Sequence, residues 1–525
     1  MDTDVLIVGA GPTGLMLACQ LARRGVRCAI IDRHAGPARE TRALGVQART
    51  MEIYAKLGIV DRALDLGKRG TGANLWAEGR WMARVPLGDA GRDVSPYPYV
   101  LILGQDDNER IMGERLADLG VSIQWSTELI GLEQNAECAT AQIKRADGTT
   151  SVVTAAWIAG CDGAHSTVRE KCGIEFIGAP YEHVFFVADT QSTGGMVPDE
   201  VNVYLRRAGF HLFFPMRGVN HWRIVGIVPS AIRDREDVTF ESVLPSILSE
   251  VGLGLTVVHC SWFSTYRIAH RRAQRFRDGR SFLLGDAAHV HSPVGAQGMN
   301  TGLQDAYNLA WKLALVTSGR ANAAVLDSYE EERVPVAEQL LNTTDRAFKL
   351  VVADSALLGL IRTEVVARIG AFAMTFERTQ RLAFRVVSQT GIHYRESRLS
   401  SSLPGFTNEG PRAGDRFPWL KLKLRADGPI EDLFDLDDTR FHLVVFGQSS
   451  AMKGDVPYPD ILDVHDVTVD PVNEAALNRA HIPRPSFYLL RPDGHVGLCG
   501  SVLDLDACRS YLHERLQFGV MGHEA

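Results

Sequence analysis

The chain has 525 residues, of which 45 % are hydrophobic and 23 % charged, and its net charge is −7. That length predicts about three folded units, and the composition is ordinary for a globular protein with sizeable cores. The modest negative charge gives no reason to expect nucleic acid or an anionic membrane surface as a partner. Eight dispersed cysteines without a Cys-x-x-Cys pair argue against a metal site and a disulfide framework, so we expect no metal and a reducing cytoplasm. No apolar run is long enough to predict a membrane span.

The first residues predict a β-α-β unit, with apolar strand-like runs at 5–8 and 26–31 around a helical pattern. Between the first strand and the helix lies G-A-G-P-T-G, which matches G-x-G-x-x-G. Gly9 permits a tight turn, Gly11 lets a pyrophosphate approach the backbone, and Gly14 lets helix and strand pack closely. Asp32 stands where an acid would bond the adenosine ribose. The segment predicts a dinucleotide site but does not distinguish FAD from NAD(P).

Farther along the chain, strand-like runs separated by turns fill the region 176–275. They predict an antiparallel sheet inserted between two halves of an α/β domain. Residues 281–284 return to a buried strand, and 320–395 are mostly helical in pattern. A turn-rich linker begins at Ser400, and a strand at 441–446 and a hairpin at 486–498 lie beyond it. We therefore divide the chain into four segments: 1–175 and 276–399 as the two parts of the first domain, 176–275 as the inserted sheet, and 400–525 as a C-terminal domain.

Two further motifs follow in order, C-D-G-A-H-S-T-V-R at 161–169 and G-D-A-A-H at 285–289, the latter leading to G-M-N at 298–300. At these residues the chain resembles the class A flavoprotein aromatic hydroxylases, which have the para-hydroxybenzoate hydroxylase-like fold. The tail resembles the thioredoxin-like C-terminal domain of phenol hydroxylase-type members. The length and the R-P-D-G hairpin resemble aromatic polyketide hydroxylases and rifampicin monooxygenase. The resemblance implies an α/β fold: a Rossmann-like FAD-binding domain with an inserted antiparallel β-sheet substrate domain, a helical segment, and a thioredoxin-like C-terminal domain.

The resemblance also implies a cofactor and its contacts. FAD is the expected cofactor, and NADPH or NADH the co-substrate. Asp286 is expected at the ribityl chain or pyrophosphate, and Asp162 where the FAD and NAD(P)H paths meet. Residues 298–300 are expected to face the pyrimidine edge of the flavin. The full predicted set of FAD contacts is Gly9, Gly11, Thr13, Gly14, Asp32, Arg33, Arg42, Gln105, Leu129, Asp162, Asp286, Pro293, Gly298, Met299 and Asn300.

The residues themselves support the assignment at 298–300. Thr301-x-x-Gln304 is a capping-box pattern, and apolar residues continue from Leu303 at helical spacing, so a helix is predicted to start just after Asn300. Its N-terminal N–H groups can stabilise negative charge on the reduced flavin.

Other polar and aromatic residues are open to two interpretations. We interpret His289 as a buried histidine hydrogen-bonded inside the FAD domain rather than a catalytic group. The basic run from Arg267 to Arg280 is interpreted as a solvated, ion-paired surface rather than a phosphate attractor. His211 and Phe213 share one face of a predicted strand and are candidate substrate contacts, with plain core packing as the alternative. No catalytic residue is named, because no nucleophile–base triad is visible.

The resemblance implies an FAD-dependent, NAD(P)H-consuming monooxygenase that hydroxylates a phenolic or polyketide-type substrate through a flavin C4a-hydroperoxide. The protein's task is then positioning and exclusion of water. Baeyer–Villiger oxygenation or epoxidation by the same peroxide is one alternative, and a non-catalytic flavin-binding regulatory protein is another. The expected partners are a small aromatic substrate and O2, with a homodimer left open.

Overall fold

The structure is a computed structural model, and it describes residues 1–38, 43–206, 209–235, 237–251, 254–291, 297–352, 367–406, 409–424, 428–449, 456–467 and 469–518. Throughout those ranges, no helix combines the length and the apolarity that crossing a bilayer requires. All eight cysteines are free thiols. The helices are Pro12–Arg23, Ala48–Leu57, Val60–Leu66, Leu87–Gly91, Gln105–Asp118, Thr167–Lys171, Phe240–Val251, Gly298–Thr317, Asp327–Val352, Ala367–Ala373, Glu377–Val387, Pro471–Arg479 and Leu505–Ser510.

The first sheet is parallel at its centre. Its strands follow the order Arg277–Asp278, Ser281–Leu283, Thr150–Gly160, Thr3–Val8, Cys28–Ile31 and Ile123–Gln124, with Ala139–Arg145 and Thr127–Gln134 added antiparallel. Val5 and Ile7 are fully buried, as expected for a central strand covered on both faces. The strand 281–283 pairs in parallel with 150–160 after more than a hundred intervening residues. The two predicted halves of the first domain, 1–175 and 276–399, therefore meet in one sheet, and we call them together the first unit.

The second sheet is long and mostly antiparallel. Its order is His289–Val290, Thr256–Ala273, Phe176–Thr193, His221–Ile227, Gly209–Pro215, Val201–Arg206, Ala73–Ala77 and Arg80–Val85. The last two strands come from the first part of the chain, and the sequence analysis did not predict them. The helix Phe240–Val251 covers one face through Val243, Ile247 and Val251. The other face packs toward the first unit, where Val203 and Phe214 join a cluster with Leu44 and Ile102.

The residues from 400 onward, which we call the C-terminal unit, contain a third sheet of five strands. Their order is Ser401–Ser402, Val496–Gly500, Ser486–Leu490, Phe441–Phe446 and Leu462–Val467. The predicted strand at 441–446 and the hairpin of 486–490 with 496–500 are confirmed. The thioredoxin-like assignment of this unit and the division of the chain at 175, 275 and 399 stay predictions.

Small sheets complete the described elements. Val100–Ile102 pairs with Gly45–Val46 on one side and Lys68–Gly70 on the other, and Lys421–Lys423 pairs with Ile430–Asp432. Short 3-10 helices lie at Gly285–Ala287, Ala323–Leu326 and Leu433–Asp435, and a π-helical turn at Tyr511–Arg515.

Candidate cofactor site

The glycine-rich turn joins the strand Thr3–Val8 to the helix Pro12–Arg23. Gly9 has φ +104°, and a Cβ added there would lie 2.3 Å from the carbonyl oxygen of Cys161. A Cβ on Gly14 would lie 1.9 Å from the carbonyl oxygen of Gly9. A Cβ on Gly11 would meet no atom within 4 Å. The protein itself therefore requires glycine at 9 and 14, whereas the bare backbone of Gly11 faces space that a ligand can fill.

The acid at the end of the second strand holds the same turn. Asp32 Oδ2 accepts a hydrogen bond from the backbone N–H of Ala10 at 2.7 Å, and Oδ1 accepts one from the N–H of His34 at 2.8 Å. The ring Nδ1 of His34 also lies 2.7 Å from Oδ1, so Oδ2 is the oxygen that retains lone-pair capacity for a further donor, such as a ribose hydroxyl. A cavity of about 380 Å³ lies between Leu15, Ala38, Glu109 and Trp125, close to this strand end.

The Cys161-Asp162 motif lies directly against the glycine turn. Cys161 donates its backbone N–H to the carbonyl of Val8 at 2.8 Å. Asp162 Oδ2 accepts the N–H of Val168 at 3.2 Å, while Oδ1 is buried and receives no donor from the residues that the structure describes. Burial raises the pKa of this carboxyl. A buried carboxylate oxygen without a donor is what a ligand hydroxyl or amide would satisfy.

The Gly285-Asp286 turn is the third part. Gly285 has φ +56°, and Asp286 is exposed within the 3-10 turn Gly285–Ala287. A Cβ on Gly285 or on Gly302 would lie 2.6 or 2.4 Å from Thr13 Oγ1. Thr13 is thus enclosed between this turn and the helix Gly298–Thr317. Arg169 adds a link, since it donates to the carbonyls of Ala287 and Ala164.

The helix Gly298–Thr317 begins three residues earlier than predicted. Gln297 is its N-cap, and the first intrahelical bond runs from the N–H of Thr301 to the carbonyl of Gln297 at 2.9 Å. The predicted capping box is wrong, because Gln304 bonds Gln389 instead of turning back to the helix start. Residues 298–300 therefore form the first helical turn. Its N–H groups precede the intrahelical ladder and supply the positive end of the helix dipole.

Asn300 fixes where this helix starts. It is fully buried, accepts hydrogen bonds from the N–H of Gln47 at 2.9 Å and the hydroxyl of Thr50 at 2.8 Å, and donates to the carbonyl of Gly45 at 2.8 Å. The side chain of Met299 accepts a bond from Asn108 at 3.2 Å. The helix start is thereby tied to the start of the neighbouring helix Ala48–Leu57.

Asp305 is a buried residue of the candidate site that the sequence analysis missed. It accepts the N–H of Gly285 at 3.0 Å, pairs with His289 Nε2 at 2.8 Å and with Arg333 Nε at 2.6 Å. Although burial acts to raise its pKa, Arg333 and His289 lower it below the usual value. The interpretation of His289 as a buried, hydrogen-bonded histidine is confirmed. The available signal was polar residues at 305, 308 and 312 on one face of an otherwise apolar helix.

The comparisons with known proteins agree with this geometry. The family model described as "FAD binding domain" matches residues 2–344. The chain belongs to this FAD-binding family. It is 32 % identical over 518 residues to 6-methylpretetramide 4-monooxygenase of Streptomyces rimosus, covering 95 % of this chain and 90 % of that protein.

Two further proteins extend the likeness. Rifampicin monooxygenase of Streptomyces venezuelae is 32 % identical over 397 residues, covering 74 % of this chain and 79 % of that protein. The solved structure of an anhydrotetracycline hydroxylase from Streptomyces rimosus superposes with TM-score 0.76 at 29 % identity, covering 98 % of this chain and 99 % of that one. The resemblance to class A aromatic hydroxylases is confirmed, and this member of the FAD-binding family is a flavin-dependent monooxygenase.

The residues present fit FAD. Three separate motifs converge on one region, which offers the open backbone of Gly11, the unsatisfied Asp162 Oδ1 and the exposed carboxylate of Asp286. The N-termini of two helices, at 12 and 298, supply N–H groups for the pyrophosphate and for the anionic edge of a flavin. A dinucleotide with a long polar chain between two flat rings needs such donors spread along its length.

The remaining predicted contacts are placed as follows. Arg33 is exposed beside Asp32. Gln105 begins the helix Gln105–Asp118, bonds Glu109 at 2.8 Å and accepts the N–H of Ala43 at 3.4 Å. Leu129 is buried in the core of the first unit. The predicted contacts Arg42 and Pro293 lie outside the described residues.

The substrate candidates lie on the wrong face of the second sheet for a cofactor-facing role. His211 and Phe213 are buried on the face that the helix Phe240–Val251 covers, with Phe213 5.2 Å from the ring of Tyr204 and His211 6.0 Å from that of Phe186. Burial lowers the pKa of His211 to about 4. Both residues are core residues, because successive strand residues alternate faces and only the other face points toward the first unit.

The basic run behaves as an ion-paired surface in the structure. Arg272 pairs with Glu338 at 2.9 Å, Arg275 with Asp278 at 3.0 Å, and Arg277 with Asp327 at 2.5 Å. These pairs neutralise the charge locally, which leaves little field to attract phosphates.

Proposed function

We propose that this FAD-dependent monooxygenase hydroxylates a large, planar phenolic substrate of the aromatic polyketide type. The observation that carries the proposal is the cofactor-facing side of the second sheet. Four apolar side chains on this side remain partly exposed, whereas Tyr204 and Phe213 on the opposite side, under the helix Phe240–Val251, are buried. The partly exposed residues are Leu75, Val203, Leu212 and Phe214.

We call these four residues the apolar wall. They are cross-strand neighbours, since Leu75 pairs with Val203 and Val203 with Leu212. Beyond Phe214, Arg223 forms a two-point ion pair with Asp189 at 2.6 Å for each bond and lies 5.3 Å from the ring of Trp262. Because the ion pair neutralises the guanidinium of Arg223, the apolar wall favours a substrate with a broad aromatic surface over a small aromatic carboxylate. The polyketide-type substrates named for relatives support this size class.

The chemistry divides between the cofactor and the chain. When bound, FAD accepts a hydride from NAD(P)H and activates O2 for transfer of one oxygen atom to the ring. The first turn of the helix at 298–300 directs N–H groups and a positive dipole end at the place where negative charge develops. Gly11 and Asp286 hold the polar chain of the cofactor, and the apolar wall keeps water from the reacting edge. The chain therefore binds and orients the cofactor and substrate and excludes water from the reacting edge.

A substrate panel tests the proposal. Purified protein with FAD and NAD(P)H is assayed against polycyclic phenols and against small benzoates. We expect accelerated NAD(P)H oxidation with the phenols and a product that gains one oxygen atom while every ring stays intact. A ring-expanded product would indicate Baeyer–Villiger oxygenation, and an epoxide would indicate epoxidation. If no aromatic compound accelerated NAD(P)H oxidation, the result would favour the flavin-binding regulatory protein instead.

A further inference from the structure

One loop of the C-terminal unit contacts all three helices that surround the cofactor site. We call Pro12–Arg23, Ala48–Leu57 and Gly298–Thr317 the cofactor helices; the first and third begin at the cofactor site, and the second is tied to Asn300. Leu436 and Asp438, both in the C-terminal unit, accept hydrogen bonds from side chains on or at the end of all three helices. The contributing residues are Arg23, Arg24, Lys56 and Tyr307.

The geometry at Asp438 is specific. Arg23 Nη2 lies 2.9 Å from Oδ1, the hydroxyl of Tyr307 lies 3.0 Å from Oδ2, and Arg24 Nη2 donates to the backbone carbonyl at 2.8 Å. Lys56 donates to the carbonyl of Leu436. Asp438 is only 4 % exposed, so its charge is supported by these partners rather than by water. Burial acts to raise its pKa, but Arg24 and Arg23 bring it below the usual value.

A second contact lies in the turn between the strands 486–490 and 496–500. Asp493 accepts a bond from Trp311 Nε1 at 3.2 Å, and its backbone carbonyl accepts one from Arg49 Nη2 at 2.6 Å. Trp311 and Arg49 belong to two of the cofactor helices. The same unit therefore bonds these helices at more than one place, and Arg416 adds an ion pair to Glu52 of the second helix.

Helices transmit such contacts along their length. A helix rises about 1.5 Å per residue, so Arg23 lies on the order of 17 Å from the start of its helix. Because a short packed helix moves as a rigid body, displacing its far end also displaces the N–H groups at its start. Arg23 and Arg24 are at the end of the helix that starts beside Gly11, and Tyr307 lies nine residues into the helix that starts at Gly298.

We propose that the C-terminal unit positions the cofactor site. In this proposal Asp438 holds the cofactor helices together at a distance from their N-termini, and thereby determines where those N-termini contact FAD. Asp438 is a positioning residue, not a catalytic one, since it acts only through these helices. This gives the C-terminal unit a role that needs no thiol chemistry and no contact with substrate.

The test is Asp438→Asn, which keeps the shape and removes the charge. We expect FAD to bind the folded apo-protein about tenfold more weakly, and a larger share of the NAD(P)H consumed to be recovered as H2O2. The matched control is Arg479→Gln, because Arg479 also joins the C-terminal unit to the first unit, through Asp93 at 3.5 Å. Within the part of the chain that the structure describes, Arg479 forms no hydrogen bond or ion pair with the cofactor helices. The control should bind FAD as the unchanged protein does.

Two outcomes overturn the proposal. One is Asp438→Asn protein whose thermal midpoint falls while the FAD dissociation constant and the H2O2 yield of the folded molecules stay unchanged, which would mean a merely structural role. The other is an equal loss of FAD affinity in the Arg479 control. Should Asp438→Asn not fold, Tyr307→Phe removes only the hydroxyl that bonds Asp438 and Pro492, and it carries the same expectation in FAD affinity and H2O2 yield.

Discussion

At the scale of single residues, the glycine turn separates what the fold requires from what the ligand requires. Gly9 and Gly14 have no room for a side chain because other backbone atoms occupy that volume. Gly11 has room, and its φ of −72° suits any residue. The packing of the protein alone therefore does not require glycine at position 11. We attribute this glycine to the close approach of a phosphate.

This distinction predicts opposite results for two substitutions. Gly11→Ala should leave the free energy of unfolding of the apo-protein unchanged and weaken FAD binding by at least about tenfold. Gly14→Ala should destabilise the apo-protein itself by several kcal/mol, roughly 2–4, because the new methyl group collides with the carbonyl of Gly9. Chemical denaturation and FAD titration of both proteins check this, with Gly370→Ala as a control in open space. Equal FAD affinity in Gly11→Ala would contradict the assignment.

His211 predicts a pH dependence of stability. Its folded pKa of about 4 lies below the ordinary 6.5, so the unfolded chain takes up a proton in the window between these values and the native protein does not. Stability from this group is complete above pH 6.5 and is lost as the pH falls toward 4. We expect on the order of 2 kcal/mol less stability at pH 5 than at pH 7 from this residue. His211→Gln should flatten that decline in denaturation curves, and an unchanged slope would refute it.

Residue spacing alone predicted the glycine turn of the candidate site. The positions of Gly9 and Gly14 follow from local turn geometry, whereas Asp162 was predicted only from the resemblance to the family. Asp305 was missed because its partners, Gly285, His289 and Arg333, come together only in the folded chain. A short-range pattern cannot reveal a carboxylate whose role is to join distant segments.

At the scale of elements, strand periodicity predicted which residues share a face but not which face meets the cofactor. That choice is made by the helix Phe240–Val251, which buries the His211 side and leaves the Leu212 side toward the first unit. The start of the helix at Gly298 was likewise misplaced, because its N-cap is Gln297 and not a residue with a typical capping side chain.

The face assignment predicts different defects for neighbouring residues. Leu212→Trp should raise the KM for an aromatic substrate about tenfold or more with little change in stability, because it fills the space beside the apolar wall. Phe213→Ala should lower the free energy of unfolding by about 3–5 kcal/mol and leave the KM of the folded enzyme unchanged. Steady-state kinetics and denaturation of both variants provide the test. If Phe213→Ala alone altered KM, the two faces would have to be exchanged.

At the scale of the whole molecule, the chain crosses between units more often than its sequence pattern suggests. The strands Ala73–Ala77 and Arg80–Val85 leave the first unit early and extend the second sheet. They are short and lack a strong alternating pattern, so no local signal marks them. The contacts of the C-terminal unit with the cofactor helices were equally hidden, because the residues they join are 415 and 182 positions apart.

One titration tests the central claim that three separated motifs build a single FAD site. Apo-protein is titrated with FAD while flavin absorbance and fluorescence are followed. We predict saturation at one FAD per chain, with a shifted flavin spectrum that shows a buried ring. Folded apo-protein that leaves FAD free in solution would contradict the account at its base.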